Sequence, residues 1–402
     1  MQNFIFISVD AAREIIFKHM PVFGEEEVNL TQATFRILKE NIYADRDLPP
    51  FNKSLMDGIA IKYEDFKTGI KQFEIIGTQA AGQDALKISA SKQCTEIMTG
   101  AVVSQGADCI VPIEDVEITE GVAVIKKDIA LNQNQYIRWQ GQDQKRGQCL
   151  ISKNAVLTPE RLAIAASVGK HRIKVHQLIR TAIISNGDEL VDIDSPVKPF
   201  QIRKSNSYFL KALLERTNCV EIELFHFPDN EEILFKEIAE ILKNFDIVIL
   251  TGGVSMGKFD FIPRILKKLS VKLLFHKVQQ KPGKPFWFGI ADNKVPVFAL
   301  PGNPIATQVC AYKYVLPGLD HALGIKRDVE YAMLSNNAEI PTALTYFMPI
   351  KITSNDKAQL VAKTILTGGS GDLGGVAAAQ GFMQIPPGLK HVQKGFVGEV
   401  IR

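Results

Sequence analysis

The run Asp246-Ile247-Val248-Ile249-Leu250-Thr251-Gly252-Gly253-Val254-Ser255-Met256-Gly257-Lys258-Phe259-Asp260 decides the architecture of this chain. A short, continuously apolar stretch that ends in glycines reads as a strand buried on both faces. The three glycines then let backbone N–H groups approach an anion that any Cβ would obstruct. Working outward, strand and helix alternate. Thr181 to Ile184 reads as a strand, Asn206 to Arg216 as a helix, Val220 to Leu224 as a strand, Glu231 to Asn244 as a helix, and Phe261 to Leu269 as another helix. That rhythm predicts a central doubly wound α/β domain, a parallel sheet covered by helices. The helix from Glu231 carries Ile233, Leu234, Ile238, Ile241 and Leu242 on one stripe, with Asp229 and Glu232 at capping-box spacing.

Ligands of such sheets are expected where the strands end, because the loops are free there and helix N-termini point outward. Each strand end here carries chemistry. Ile183-Ile184-Ser185-Asn186-Gly187-Asp188-Glu189 places a glycine and two carboxylates after an apolar run, and Glu189 reads either as a Mg²⁺ ligand or as part of a solvated turn. Asp260 reads either as a helix N-cap or as a metal or proton-transfer group. Lys281-Pro282-Gly283-Lys284-Pro285 sets two ammonium groups on a loop stiffened by prolines, suited to gripping an oxyanion. In Leu300-Pro301-Gly302-Asn303-Pro304, Asn303 can cap and Pro304 can open a helix ending near Leu323.

The first 177 residues read differently. Residues 9–42 carry Ile15, Ile16, Phe35, Leu38 and Ile42 at helical spacings, up to an Asp-Arg-Asp-Leu-Pro-Pro stop at 45–50. From Phe51 onward short β-rich runs (Phe73 to Ile76, Cys109 to Val111, Val122 to Ile125) alternate with Gly and Asp turns, and helix returns at Pro159 to Val168. Beyond Arg327, Tyr346 to Ile352, Leu360 to Ile365 and Phe396 to Ile401 predict a small β-barrel-like end. The expected division is a helical or extended N-terminal domain (1–49 and 145–177), an inserted β-rich domain (50–144), the α/β domain (178–327) and a C-terminal β domain (328–402). Polar turns in the insert, Ser54 to Gly58 with Asp57, Met98 to Ala101 with Thr99, and the Arg138 and Asp143 pair around Gly141, read equally well as structure or as a site.

Composition bounds the function. Forty-seven basic against 44 acidic residues leave +3, no footprint for a long polyanion, so nucleic acid is not the expected partner. Five widely spaced cysteines with no C-x-x-C argue against a disulfide framework or a zinc site. The opening ten residues lack a signal-peptide pattern, and no apolar run approaches the ~20 residues of a membrane span. A cytoplasmic protein is expected. No Ser/His/Asp or Cys/His arrangement is visible, which disfavours covalent catalysis.

Taken together and in order, Leu48 to Phe51, Ser54 to Ala60, Ile97 to Ala101, Gly106 to Asp108, Arg138 to Asp143, Gly187 to Leu190, Ser205 to Ser207, the Gly252 loop, Lys281 to Pro285, Leu300 to Pro304 and Gly369 to Leu373 resemble the molybdopterin molybdenumtransferase family, the MoeA proteins related to the E domain of gephyrin. The resemblance implies an elongated homodimer whose sites lie between domains of different subunits. It also implies a reaction in which adenylylated molybdopterin and molybdate, with Mg²⁺, yield molybdenum cofactor and AMP. By the same resemblance Asp57, Asp143, Glu189 and Asp260 are the functional carboxylates, with Mg²⁺ on Glu189 and Asp260. Lys281, Lys284 and Ser370 fall to molybdate; Thr99, Arg138, Ser205, Asn206, Gly252, Gly253, Ser255, Pro301, Gly302 and Asn303 complete the substrate contacts. Transient contacts with the adenylyltransferase and with acceptor molybdoenzymes follow from that role; membranes and nucleic acid do not. Against the family pattern, Asn186 replaces a usual threonine, Ala306 stands where serine often follows, and Phe347 to Lys351 lacks expected arginines. Other readings are an adenylyltransferase, whose fold resembles residues 178–325 alone, a non-catalytic pterin-binding scaffold, or a paralogue handling tungstate.

Overall fold

A computed structural model describes residues 6–254, 261–369 and 371–402. The chain divides into two compact units: Met1–Glu40 with Lys153–Pro159 and Arg172–Arg402, and Asn41–Ser152 with Glu160–His171.

In the first unit a six-stranded sheet runs in the order Val220–Phe227, Ile179–Asn186, Ile247–Thr251, Pro296–Leu300, Trp287–Ile290, Lys272–His276. The first four strands are parallel, as their apolar runs predict. The fifth, Trp287–Ile290, runs against the others and pairs antiparallel with both of its neighbours, which departs from the all-parallel expectation. The cause is the connection: Ala291 N–H bonds Val295 O at 3.0 Å, closing a tight turn too short for the dozen or more residues a parallel crossover needs. Helices Asn206–Glu215, Glu231–Asn244 and Ile262–Lys268 fall where the alternation puts them. Separate apolar cores built on the two sets of sheet side chains (Ile183, Ile249 and Phe298; Ile184, Leu250 and Val297) confirm the doubly wound arrangement.

Two local expectations give way. Residues 9–42 are not one helix. Helix stops at His19, before Met20-Pro21, and Glu25–Asn29 pairs antiparallel with Arg172–His176. Leu38 N–H bonds Ala155 O at 2.9 Å, so Ile37, Leu38 and Ile42 are buried by long-range pairing that imitates a helical stripe. The helix Glu231–Asn244 is capped by Asn230, whose side chain accepts from Glu232 and Ile233 N–H, rather than by Asp229; Ile233 is exposed.

The C-terminal strands Thr345–Ser354, Leu360–Thr364, Glu330–Leu334, Val397–Ile401 and Gly381–Ile385 close into a five-stranded barrel around Leu334, Ile350, Ala362 and Met383, since the last pairs back onto the first. The second unit is built on a six-stranded sheet in the order Cys109–Pro112, Gly58–Ile61, Gln93–Ile97, Gln72–Gln79, Val122–Ile125, Val116–Thr119, packed around Ile59, Phe73, Cys94 and Val111. Among the described residues no helix is long and apolar enough to cross a membrane.

Candidate functional site

The first strand of the α/β sheet, Ile179–Asn186, leads to a neighbour on one side (Val220–Phe227) and then to one on the other (Ile247–Thr251). Connections that leave in opposite directions open a crevice at the carboxyl ends, the usual ligand position in this class of sheet. A cleft of about 980 Å³ lies there. Glu189, Ser205, Asn206, Gly252, Gly253, Pro301, Gly302 and Asn303, all expected from the sequence, line it.

Local geometry explains why these residue types meet. At Gly187, φ is +143° and a Cβ would lie 2.5 Å from Glu189 Oε2, so glycine lets the carboxylate fold back over the turn. Gly253 has φ +61°, and a Cβ there would come within 2.7 Å of Asn186 Nδ2. The glycine loop thus leaves room for Asn186, which is 5% exposed. Asn186 Nδ2 donates to Asp229 Oδ1 at 2.9 Å, and Asp229 N–H donates to Asp188 Oδ1 at 3.1 Å. Asn186 Oδ1 is buried with no hydrogen-bond partner among the described residues. Across the cleft, Asn206 Nδ2 donates to Gly302 O at 2.8 Å and ties its helix to the Pro301–Asn303 turn.

A second cavity of about 480 Å³ holds Lys281 and Lys284 and shares Pro285, Pro301 and Asn303 with the cleft. Ala306, Tyr346, Phe347 and Pro349 give it an otherwise apolar wall. Asp372 shapes one edge: its carboxylate accepts from Gly368 and Gly375 N–H, each at 2.8 Å, and these two bonds hold it below the usual carboxylate range. Thr367, Gly368 and Gly369 then line the lysine cavity, while Gly371 and Leu373 line the cleft. The expectations for Ser255, Asp260 and Ser370 fall outside the described residues.

In the second unit the other expected residues form two polar pairs. Thr99 donates twice to Asp57 Oδ1, from N–H at 2.6 Å and from Oγ1 at 2.7 Å, and the backbone bond, then the hydroxyl, lower the carboxyl's pKa. Arg138 donates from Nε (3.0 Å) and Nη2 (2.6 Å) to Asp143 Oδ1. The pairs are linked through structure, since Arg138 sits opposite Lys53 in a two-stranded ladder that leads into the Asp57 turn.

Among the polar cleft residues that the sequence reading did not assign to the site are Asn186, Arg203, Lys204 and Asp229. Asp229 passes for a cap because it precedes a helix; the signal is the Asp229-Asn230 doublet, where the nearer residue caps and the other is released. Lys204 pairs with Asp192, a bond that holds that aspartate's pKa down.

The fold and cleft define an α/β binding protein of the molybdopterin-binding type, extended by a separate β-rich unit and a barrel. Residues 182–321 match the family described as a probable molybdopterin binding domain, and residues 7–169 match the MoeA N-terminal region, domains I and II. A molybdopterin molybdenumtransferase of Synechocystis is 33% identical over 97% of this chain and 98% of its own length. One of Haemophilus influenzae is 34% identical over 80% of this chain and 79% of its own. The solved structure of a MoeA molybdopterin biosynthesis protein from Pyrococcus horikoshii is 28% identical, covers 98% of both chains and superposes with a TM-score of 0.83. The chain belongs to the molybdopterin molybdenumtransferase family, enzymes of molybdenum cofactor biosynthesis.

Proposed function

We propose that this enzyme inserts molybdate into adenylylated molybdopterin with Mg²⁺, releasing AMP and molybdenum cofactor. The observation that carries the reading is the pair of adjoining cavities, one edged by carboxylates and glycine turns, the other by two lysines, with Pro285, Pro301 and Asn303 as common wall. A pterin phosphate joined to a nucleotide needs the first kind of surface, and a tetrahedral oxyanion the second. Glu189 supplies a hard oxygen donor of the kind Mg²⁺ takes together with substrate phosphates, and Asp260 is the second carboxylate proposed for it. Bound there, Mg²⁺ would supply charge neutralisation at the phosphoanhydride.

The chain's own groups do the remaining work. Gly252 and Gly253 keep side chains away from the phosphates, the Asn206–Gly302 bond fixes the opposite wall, and Lys281 with Lys284 offsets the charge of the entering molybdate. Cleavage of the P–O–P linkage by water leaves AMP and the pterin phosphate, so no enzyme nucleophile is required. The working form proposed is a cytoplasmic homodimer in which Asp57 and Asp143 act on substrate held by the second copy. Incubating the purified protein with adenylylated molybdopterin, molybdate and Mg²⁺ should release AMP in step with cofactor formation, read by chromatography and by reconstitution of an apo-molybdoenzyme. Cofactor formed without AMP, or no AMP at all, would sink the reading; light scattering at the mass of a monomer would remove the dimer.

A further inference from the structure

Gln280 is fully buried, an unusual place for an amide, whose burial is unfavourable unless both ends are bonded. Both ends are bonded here. Oε1 accepts the Tyr314 hydroxyl, Nε2 donates to Pro282 O at 3.1 Å, and Nε2 also lies 3.7 Å from Cys310 Sγ. Pro282 O only accepts, which fixes which way the amide points.

The loop that carries Lys281 and Lys284 is draped around this side chain. Val278 N–H bonds Lys284 O at 2.9 Å and closes the loop's base, while Gln280 and Lys281 pair with Thr345 and Tyr346 of the barrel. At Gly283 φ is +93°, and a Cβ would sit 2.5 Å from Gln280 Nε2 and 2.9 Å from Cys310 Sγ. The backbone therefore passes as close to the amide as atoms allow. Tyr314 is itself buried on the π-helical stretch Ala311–Val315 and stacked on Phe286 with ring centroids 4.9 Å apart. Such a stretch widens the helix locally and often marks a functional position. A leucine or methionine would fill the same space without the desolvation of an amide, so what glutamine adds is direction.

We propose that Gln280, held by Tyr314, is a positioning residue that sets the reach of Lys281 and Lys284 into their cavity. The assignment of an oxyanion to that cavity rests on the function proposed above; the positioning of the loop does not. Gln280→Met keeps the volume and removes both bonds. Hydrogen exchange across residues 278–286 should then quicken at least fivefold while Pro296–Leu300 stays protected, and the dissociation constant for molybdate, measured by calorimetry, should rise about tenfold with pterin-nucleotide affinity within twofold of native. Tyr314→Phe, a milder change that guards against a folding failure, should move both readings in the same direction by less. The double variant should be no worse than Gln280→Met. Unchanged exchange in both single variants overturns the proposal, as does pterin affinity falling in parallel with molybdate affinity. Faster exchange in a protein whose native form binds no molybdate overturns the oxyanion reading and upholds the positioning role.

Discussion

At the scale of single residues the chemistry is set by short contacts that hold a charge in place. Asp57 is solvent-exposed, yet two donors from Thr99 converge on one of its oxygens and favour the carboxylate. Because its folded pKa is depressed, whatever stability this group adds is present above the unfolded value and is lost as pH falls through the folded one. Thr99→Val deletes the hydroxyl bond and keeps the larger backbone bond. The Asp57 carboxyl should then titrate at higher pH than in the native protein but still below an ordinary aspartate, as a carbon-13 NMR titration would show. An unchanged midpoint would mean that the hydroxyl contributes nothing. Asn186 likewise holds a side chain in position, donating from Nδ2 to Asp229 Oδ1 at 2.9 Å. Removing it by Asn186→Ala takes a charge-assisted bond worth about 1.5–3 kcal/mol from that carboxylate, and binding of a pterin nucleotide should weaken about tenfold. Equal affinity in a well-folded Asn186→Ala protein would show that Asp229 needs no such support.

At the scale of elements, legibility follows the range of the interactions. The strand and helix rhythm from Ile179 to Lys268 is readable because periodicity and punctuation are local, and the glycine turns at Gly187, Gly252 and Gly253 stand out for the same reason. The strand Glu25–Asn29 is not readable, since the sequence EEEVN becomes a strand only against Arg172–His176, far along the chain. Asp229 was hidden by a local rule that fitted two residues equally well. The glycine turn offers a direct check. Gly253→Ala would put a Cβ on a left-handed backbone, at roughly 1–2 kcal/mol, and within 2.7 Å of Asn186 Nδ2, so Asn186 must move. Thermal stability should fall by a few degrees and pterin-nucleotide affinity by more than tenfold; a loss of stability with affinity intact would separate the turn from the ligand.

At the scale of the whole molecule, the barrel shows how closure escapes a linear reading. Thr345–Ser354, Leu360–Thr364 and Val397–Ile401 are evident as strands, whereas Glu330–Leu334 and Gly381–Ile385 acquire their role from pairings that complete the ring. Within the same unit the α/β core continues into barrel residues Phe347, Phe382 and Ile401, and one ion pair accompanies that continuity. Lys313, 2% exposed on the helical side, donates to Glu399 Oε1 of the last barrel strand at 2.6 Å. Burial pushes the Lys313 ammonium down and Glu399 draws it back up. Such a pair adds little net stability, because desolvation offsets attraction, but removing one partner leaves a buried charge uncompensated at about 3–5 kcal/mol. Glu399→Ala should therefore lower unfolding free energy by that amount in denaturant titrations, and Lys313→Met added to it should recover most of the loss. If Glu399→Ala alone cost less than about 1 kcal/mol, water must reach Lys313, and the apolar contacts of Phe347, Phe382 and Ile401 would be what joins the barrel to the α/β core.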